Sequence, residues 1–81
     1  MEEQTKENLT YGQDAVGLNF NPSGNPQVDK IKALYAEIID ELNDERMNDD
    51  EPRPQEKNRL LSVAITEAQT AQMWAIKGLT K

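Results

Sequence analysis

Apolar residues recur at helical spacing through the first half of the chain. Seven of them form a stripe with a heptad-like seam spaced 3, 4, 3 and 4 residues apart: Val28, Ile31, Tyr35, Ile38 and Leu42, widened by Leu34 and Ile39. Charged residues fall on the opposite, solvated face: Asp29, Lys30, Glu37, Asp40, Glu41 and Asp44. This pattern predicts an amphipathic helix over about residues 26–47.

A second periodic segment contains a stripe of small residues spaced 4, 3, 4 and 3 apart: Ala64, Ala68, Ala71, Ala75 and Gly78. Apolar side chains flank this stripe on several sides: Leu60, Leu61, Val63, Ile65, Met73, Trp74, Ile76 and Leu79. The pattern predicts a helix over about residues 55–77, with Gly78 as its stop. One partner helix cannot cover so wide an apolar surface, so copies of the chain are expected to associate.

The segment N-D-D-E-P-R-P at residues 48–54 separates the two predicted helices. Residues that precede proline are disfavoured in the helical conformation, so Glu51 and Arg53 are expected to interrupt the helix. A short connection of this kind joins antiparallel neighbours. The predicted fold is therefore all-α: an antiparallel two-helix hairpin over residues 11–81, with an N-terminal loop or short helical turn, a polar tail over residues 1–10, and assembly into a homo-oligomer.

A loop rich in Gly, Pro and Asn, G-L-N-F-N-P-S-G-N-P, leads into the first long helix. Before it, Ala15 and Val16 are expected to form one helical turn that Gly17 ends. Ser23 or Asn25 is the expected N-cap, with a proline in the first helical position. Two interpretations stay open for this loop: ordinary capping and turn chemistry, or a small anion site that includes Phe20, Lys30 and Lys32.

Composition limits the function classes. The chain has 81 residues, no Cys and no His, and a net charge of −6 from 15 acidic and 9 basic residues. Disulfides and thiolate or imidazole chemistry are excluded, and sequence-independent binding to duplex nucleic acid or to an anionic membrane is disfavoured. No transmembrane span or secretory signal is predicted, so a cytoplasmic location is expected.

Catalytic and metal chemistry find little support. The acidic residues crowd into residues 40–51, where we expect a hydrated tip that would not perturb a carboxyl pKa. Asp49, Asp50 and Glu51 lack the glycine and ligand spacing of a calcium loop. We therefore expect no enzyme activity, metal or cofactor. Trp74 is interpreted as a core or interface residue, or alternatively as a platform for base stacking.

Two motifs resemble one known family. F-N-P-S-G-N-x-x-V-x-x-I-K at residues 20–32 and A-I-T-E-A-Q-T-A-Q-M-W-A-I-K at residues 64–77 resemble the anti-CBASS cyclic-nucleotide sponges of phages, whose hairpin also occurs in a Thoeris anti-defence sponge. With the helix between them, the resemblance covers about residues 11–77. It implies a homo-oligomer, expected to be a hexamer, that holds cyclic oligonucleotide immune messengers in the host cytoplasm without cleaving them.

The resemblance also implies a set of site residues. An aromatic residue stacks on a base, which here is Phe20 with Tyr11 as a rival, and the lysine of the I-K pair, Lys32, contacts a phosphate. The remaining lining is Asn21, Ser23, Gly24 and Asn25, with a neighbouring subunit closing the pocket around a cyclic dinucleotide. A second pocket for cyclic trinucleotides would use Arg59, Thr66 and Lys77, with Arg59 compensating for Ile65, which stands where some members have arginine.

A structural or adaptor hairpin whose oligomer binds a host protein is the alternative function. It accounts for the helices and the acidic tip, but it gives no reason for a polar loop with an aromatic residue and a lysine at the helix start. On the sponge hypothesis, replacing Lys32 with alanine is expected to weaken ligand binding and leave assembly intact.

Overall fold

Three helices make up the described part of the chain. The computed structural model describes residues 8–48 and 54–81. The helices are α1 (Tyr11–Val16), α2 (Pro26–Arg46) and α3 (Pro54–Leu79), and these two ranges contain no strand. The all-α fold class is confirmed. Most of the predicted tail over residues 1–10 and of the predicted turn over residues 48–54 lies outside the described residues.

Contacts at both ends show that α2 and α3 are antiparallel. The side-chain amide of Asn25, at the start of α2, donates to the carbonyl oxygen of Leu79 at the end of α3, at 3.3 Å. At the other end, the ammonium of Lys57 in the first turn of α3 lies 3.9 Å from a carboxylate oxygen of Glu45. The start of each helix thus meets the end of the other, which confirms the predicted hairpin.

The start of α2 decides between the two candidate caps. The side-chain oxygen of Asn25 accepts from the backbone N–H of Gln27 at 2.8 Å, so Asn25 is the N-cap and Pro26 occupies the first helical position. Ser23 instead accepts from the backbone N–H of Asn25 at 3.2 Å. Proline suits this position because its missing N–H would have had no partner within the helix.

The end of α3 differs from the prediction. The helix continues through Gly78 to Leu79, so the expectation that Gly78 stops it was wrong. A glycine that ends a helix adopts a positive φ, and the glycines that do so in the described residues are Gly17 and Gly24. The backbone N–H of Thr80 still donates to the carbonyl of Ile76, at 3.0 Å.

A complete capping box makes α1 longer than the single turn predicted at Ala15 and Val16. The hydroxyl of Thr10 accepts from the backbone N–H of Gln13 at 3.1 Å, and the side chain of Gln13 accepts from the backbone N–H of Thr10 at 3.0 Å. Gly17 ends the helix with φ of 65°, as predicted. Thr10, placed by sequence in the polar tail, therefore forms part of the folded unit.

The core lies where the three helices meet. It is built from Val16 of α1, Ala36 and Ile39 of α2, and Ile65 of α3, all at most 5% exposed. The seam predicted for α2 only partly matches this arrangement, because Ile38 is 51% exposed. The residues that α2 buries include Ala36 and Ile39, because α1 packs on one side of that helix and α3 on another.

The prediction that Asp40 lies on the solvated face of α2 was wrong. One of its carboxylate oxygens accepts from the backbone N–H of Gly12 at 2.6 Å, and the other accepts from the hydroxyl of Thr10 at 2.7 Å. Asp40 therefore satisfies free groups at the start of α1 from a different helix. A helix of only six residues is marginal by itself, so this contact and the core contact of Val16 hold it in place.

We expect Asp40→Ala to lower the free energy of unfolding by about 1–2 kcal/mol, because a backbone N–H and a hydroxyl lose a charged acceptor. Urea unfolding followed by circular dichroism measures the change. Glu41→Ala is the matched control, since Glu41 is exposed on the same helix, and it should shift stability by less than about 0.5 kcal/mol. Equal effects of the two changes would contradict a capping role for Asp40.

Candidate functional site

The ammonium of Lys32 lies at the centre of the candidate site. Lys32 is 5% exposed, and its Nζ donates to the carbonyl oxygens of Gly17 at 2.9 Å and Phe20 at 2.5 Å. Lys32 is therefore not an exposed helix charge, unlike Lys30 on the same helix. An ammonium carries three donors, so these two bonds, which fasten the loop after α1 to α2, leave one N–H for another acceptor.

Phe20 is the aromatic residue beside this ammonium. Its ring centroid lies 5.5 Å from Nζ of Lys32, within the range of a cation–π contact. The side chain is 70% exposed, so a ring face remains accessible. The structure thus brings together the two residues predicted to contact a base and a phosphate, at the point where the loop meets α2.

A groove opens next to the buried ammonium, and we call it the Lys32 groove. It has a volume of about 410 Å³, and α1, α2 and α3 all contribute to its lining: Asp14, Ala15, Val16, Gly17, Lys32, Gln72, Met73 and Ile76. Apolar side chains supply most of its walls, and Lys32 and Gln72 are its two buried polar residues, each 5% exposed. Apolar walls with a few polar groups are typical of small-molecule sites.

The predicted loop residues form a separate hydrogen-bonded turn. The side chain of Asn21 donates to the carbonyl of Asn25 at 2.8 Å and to the carboxylate of Asp29 at 3.0 Å, and it accepts from the hydroxyl of Ser23 at 2.8 Å. Gly24 has φ of 67°, a conformation that favours glycine. Asn21, Ser23 and Asn25 therefore satisfy one another.

This turn borders a different depression from the Lys32 groove. Asn21 and Gly24 line an open space of about 470 Å³ together with Leu18, Asn19 and Asp29. Of the seven residues predicted for the first site, Lys32 is the one that lines the Lys32 groove. Phe20 touches that site through its contact with the ammonium. Asn21 and Gly24 line the other depression, and Ser23 and Asn25 line neither of the two.

Tyr11 is held at the far end of α2. The guanidinium of Arg46 lies 5.6 Å from its ring centroid, and an Arg46 nitrogen lies 3.4 Å from its hydroxyl. Arg46 and Lys32 are 14 residues apart on α2, which at 1.5 Å per residue is roughly 21 Å. Within one protomer, Tyr11 is therefore not brought to the same place as Lys32.

Of the three residues predicted for a second pocket, only two lie in one groove. Arg59 and Thr66 line a shallow groove of about 510 Å³ on α3, together with Ser62, Val63 and Glu67. The guanidinium of Arg59 is engaged by Glu56, at 2.9 Å. Lys77 is 11 residues beyond Thr66, and its ammonium lies 5.4 Å from the ring centroid of Trp74.

Trp74 is 66% exposed, so it is not a core residue of the protomer, and its interpretation as an interface residue or a stacking platform stays a prediction.

Sequence reasoning missed the groove residues Asp14, Gln72 and Met73. A signal for Gln72 was present, because it continues the 3-and-4 spacing of Ile65 and Ala68 as a polar residue on a buried helix face.

Residues 8–48 and 54–81 contain no cluster of three or more potential metal ligands. No helix in those ranges is long and apolar enough to cross a membrane. The acidic residues considered for metal binding, Asp49, Asp50 and Glu51, lie outside the described residues.

Comparison with known proteins identifies a family. Residues 13–80 match the model of a protein family described as Acb2/Tad1, hairpin domain. No curated protein and no solved structure matches the chain. The match begins within α1 and extends past the end of α3, so it includes the whole hairpin and every residue that lines the Lys32 groove.

Proposed function

The chain belongs to the Acb2/Tad1 hairpin-domain family, and on that premise we propose that it is a phage counter-defence protein that sequesters cyclic oligonucleotide immune messengers. It binds them without a catalytic step, in the cytoplasm of the host. The observation that carries the proposal is the Lys32 ammonium, buried beside an apolar groove and adjacent to the exposed ring of Phe20.

The chemistry of that arrangement suits a cyclic dinucleotide. A phosphate takes the remaining N–H of the Lys32 ammonium in a charge-assisted hydrogen bond, which is stronger than one between neutral groups. A base stacks on the open face of Phe20, a contact that contributes about 1–3 kcal/mol. The ammonium is fixed before the ligand arrives, because two backbone carbonyls accept its hydrogen bonds.

Association of several copies completes the pocket in this proposal. Among the described residues only five apolar side chains are buried, a small core for an independent domain. Six large apolar residues on two helices remain at least 48% exposed: Leu34, Ile38, Leu60, Val63, Met73 and Trp74. We propose that neighbouring hairpins cover these surfaces in a homo-oligomer, with a hexamer as the expected state.

Three finer assignments belong to the same proposal. The functional unit is a single hairpin domain that begins with Thr10, the N-cap of α1, and extends to residue 81. Asn21, Ser23, Gly24 and Asn25 contact ligand from the loop side, and Tyr11 does so only if a neighbouring copy brings it to the site. Arg59 and Thr66, which share one groove, are the residues proposed for a cyclic trinucleotide, with Lys77 contributed from elsewhere on the assembly.

We expect the melting temperature of the purified protein to rise by several degrees with a saturating cyclic dinucleotide, because a ligand that binds only the folded state stabilises it. A thermal-shift screen tests cyclic dinucleotides, cyclic trinucleotides and cyclic ADP-ribose isomers. Linear dinucleotides of the same bases are the matched control ligands. Recovery of the intact messenger after heating, measured by chromatography, checks that the protein does not cleave it.

Absence of any shift across this panel would contradict the sponge function. In that case the exposed apolar surfaces would favour the adaptor alternative, in which the oligomer binds a host protein, and mass measurement of complexes recovered from host lysate would test it. Native mass spectrometry of the purified protein, with and without ligand, counts the subunits. A single folded subunit in both samples would contradict the proposed assembly.

A further inference from the structure

The outward face of α3 carries a regular seam of its own, distinct from the face that packs in the core. Its positions alternate in spacing between 4 and 3 residues and end just past the helix, and we call them the outer seam: Glu56, Leu60, Val63, Glu67, Thr70, Trp74, Lys77 and Lys81. Thr70 is partly buried and the other positions are exposed. This spacing is the one by which two helices pack along a shared line.

Charge distinguishes the outer seam from the exposed apolar residues of α2. On α2, Leu34 and Ile38 lie among one basic and four acidic exposed residues: Lys30, Glu37, Glu41, Asp44 and Glu45. Two copies of that face would bring like charges together, which is unfavourable. The outer seam itself contains two acidic and two basic residues, so a second copy of the same seam meets no net repulsion. The favoured occupant of the outer seam is therefore α3 of another copy.

The order of the charges along the outer seam indicates an antiparallel pair. Glu56 and Glu67 lie in its first half, and Lys77 and Lys81 lie at its end. In a parallel pair each of these residues would face its own equivalent. In an antiparallel pair the acidic half of one seam faces the basic half of the other, and the helix dipoles also oppose each other.

The register of this pair follows from the spacing, which is the same when the seam is followed in either direction. One antiparallel register therefore matches all of its positions. The opposing pairs are then Val63 with Trp74, Leu60 with Lys77, Glu67 with Thr70, and Glu56 with Lys81. A shift of seven residues in either direction would place a charged residue opposite Val63 and leave part of the seam unmatched. Each contact occurs twice, because the pair has a two-fold axis.

We infer that two copies of the chain pair through the outer seam of α3, antiparallel and in this register. The inference rests on the assembly that belongs to the proposed function. The exposed ring of Trp74 gains an apolar partner in Val63 of the second copy, which lines the groove of Arg59 and Thr66. Lys77 of one copy is likewise brought beside that groove on the other, where Leu60 adjoins Arg59. The second copy therefore supplies two residues to the edge of this groove.

Introduced cysteines test the pairing, since the chain has no cysteine of its own. Leu60→Cys and Lys77→Cys are purified separately, mixed in urea, refolded together and oxidised at low protein concentration. We expect at least about tenfold more disulfide-linked dimer in the mixture than in either variant alone, because residue 60 lies opposite residue 77, whereas the two copies of one position are roughly 25 Å apart.

Lys30→Cys mixed with Leu60→Cys is the matched control, since Lys30 is an exposed lysine outside the outer seam, and this mixture should give only the background yield. Circular dichroism verifies that each refolded mixture is helical. Dimers of Leu60→Cys with itself would show a parallel pair and overturn the inference. A mixture of Leu60→Cys and Lys77→Cys that gives no more dimer than the control would overturn it as well.

Trp74→Ala provides a second readout that needs no cysteine. We expect native mass spectrometry to count half as many subunits or fewer than in the wild type, because each pairing loses two large apolar contacts. Met47→Ala is the control, since Met47 is an exposed apolar residue on α2, and its subunit count should not change. An unchanged count in Trp74→Ala would contradict the pairing.

The pairing and the sponge function fail in different measurements. A rise in melting temperature with a cyclic dinucleotide, together with no excess of cross-linked dimer, would overturn the pairing and leave the sponge function in place. Cross-linking in the expected register without any response to the ligand panel would support the pairing and contradict the sponge function.

Discussion

Replacing Gly12 with alanine is expected to lower the free energy of unfolding by about 3 kcal/mol, although the same change inside a helix is ordinarily stabilising. A Cβ at this position would overlap the carbonyl oxygen of Ala36 and would lie 2.9 Å from an oxygen of Asp40. The atoms it meets are the backbone of α2 and a carboxylate that already bonds Gly12. Accommodation therefore requires α1 to move away from α2.

Gly78→Ala is the matched control for this change. Gly78 also lies inside a helix, and nothing within the protomer lies within 4 Å of the position its Cβ would take. Helix propensity alone then predicts a gain of about 0.5–1 kcal/mol. Urea unfolding of both variants measures the difference. A stabilised Gly12→Ala variant would show that α1 and α2 are not in the close contact described above.

Displacement of α1 should also change the shape of the Lys32 groove. Asp14, Ala15, Val16 and Gly17 all line the Lys32 groove, and the carbonyl of Gly17 accepts from the Lys32 ammonium. The six-residue helix and its C-cap Gly17 thus supply half of the residues that line the Lys32 groove. Because its position depends on Gly12 and Asp40, stability and ligand binding are coupled through residues that contact no ligand.

The long helices were predictable because their signals are local. The apolar spacing of α2 and the loop that precedes it placed its start at Pro26, where the structure has it. The end of α3 was not predictable from the sequence. Gly78 resembles a stop signal, but the helix continues past it with ordinary hydrogen bonds. The role of Asp40 could not be inferred at all, since it depends on a partner 28 residues away.

The candidate site also contains residues whose placement could be predicted from the sequence and residues whose placement could not. Lys32 and Phe20 meet because the loop between them is short, and their motif spacing already implied this. Tyr11 was a plausible rival from its residue type, but α1 docks with that end beside Arg46. Gln72 joins Lys32 only when α3 folds back on α2, so no pattern within one segment places both residues in one groove.

The Lys32→Met variant is expected to lose both stability and ligand affinity. The carbonyl oxygens of Gly17 and Phe20 each lose a charged donor, so we expect the free energy of unfolding to fall by about 2 kcal/mol. The structure thus modifies the expectation that truncating Lys32 affects binding alone. Methionine is preferred to alanine for the test because it preserves most of the buried side-chain volume.

Affinity for the cyclic dinucleotide should fall at least about tenfold in the same variant, since the phosphate loses a charge-assisted hydrogen bond in a groove with apolar walls. Calorimetry well below the melting temperature separates this loss from the loss of stability, because the variant is then fully folded. Lys30→Met is the matched control: Lys30 is exposed on the same helix, and its loss should change both quantities little. Unchanged affinity in folded Lys32→Met would show that Lys32 only stabilises the loop. The contact with the phosphate would then have to come from another cation.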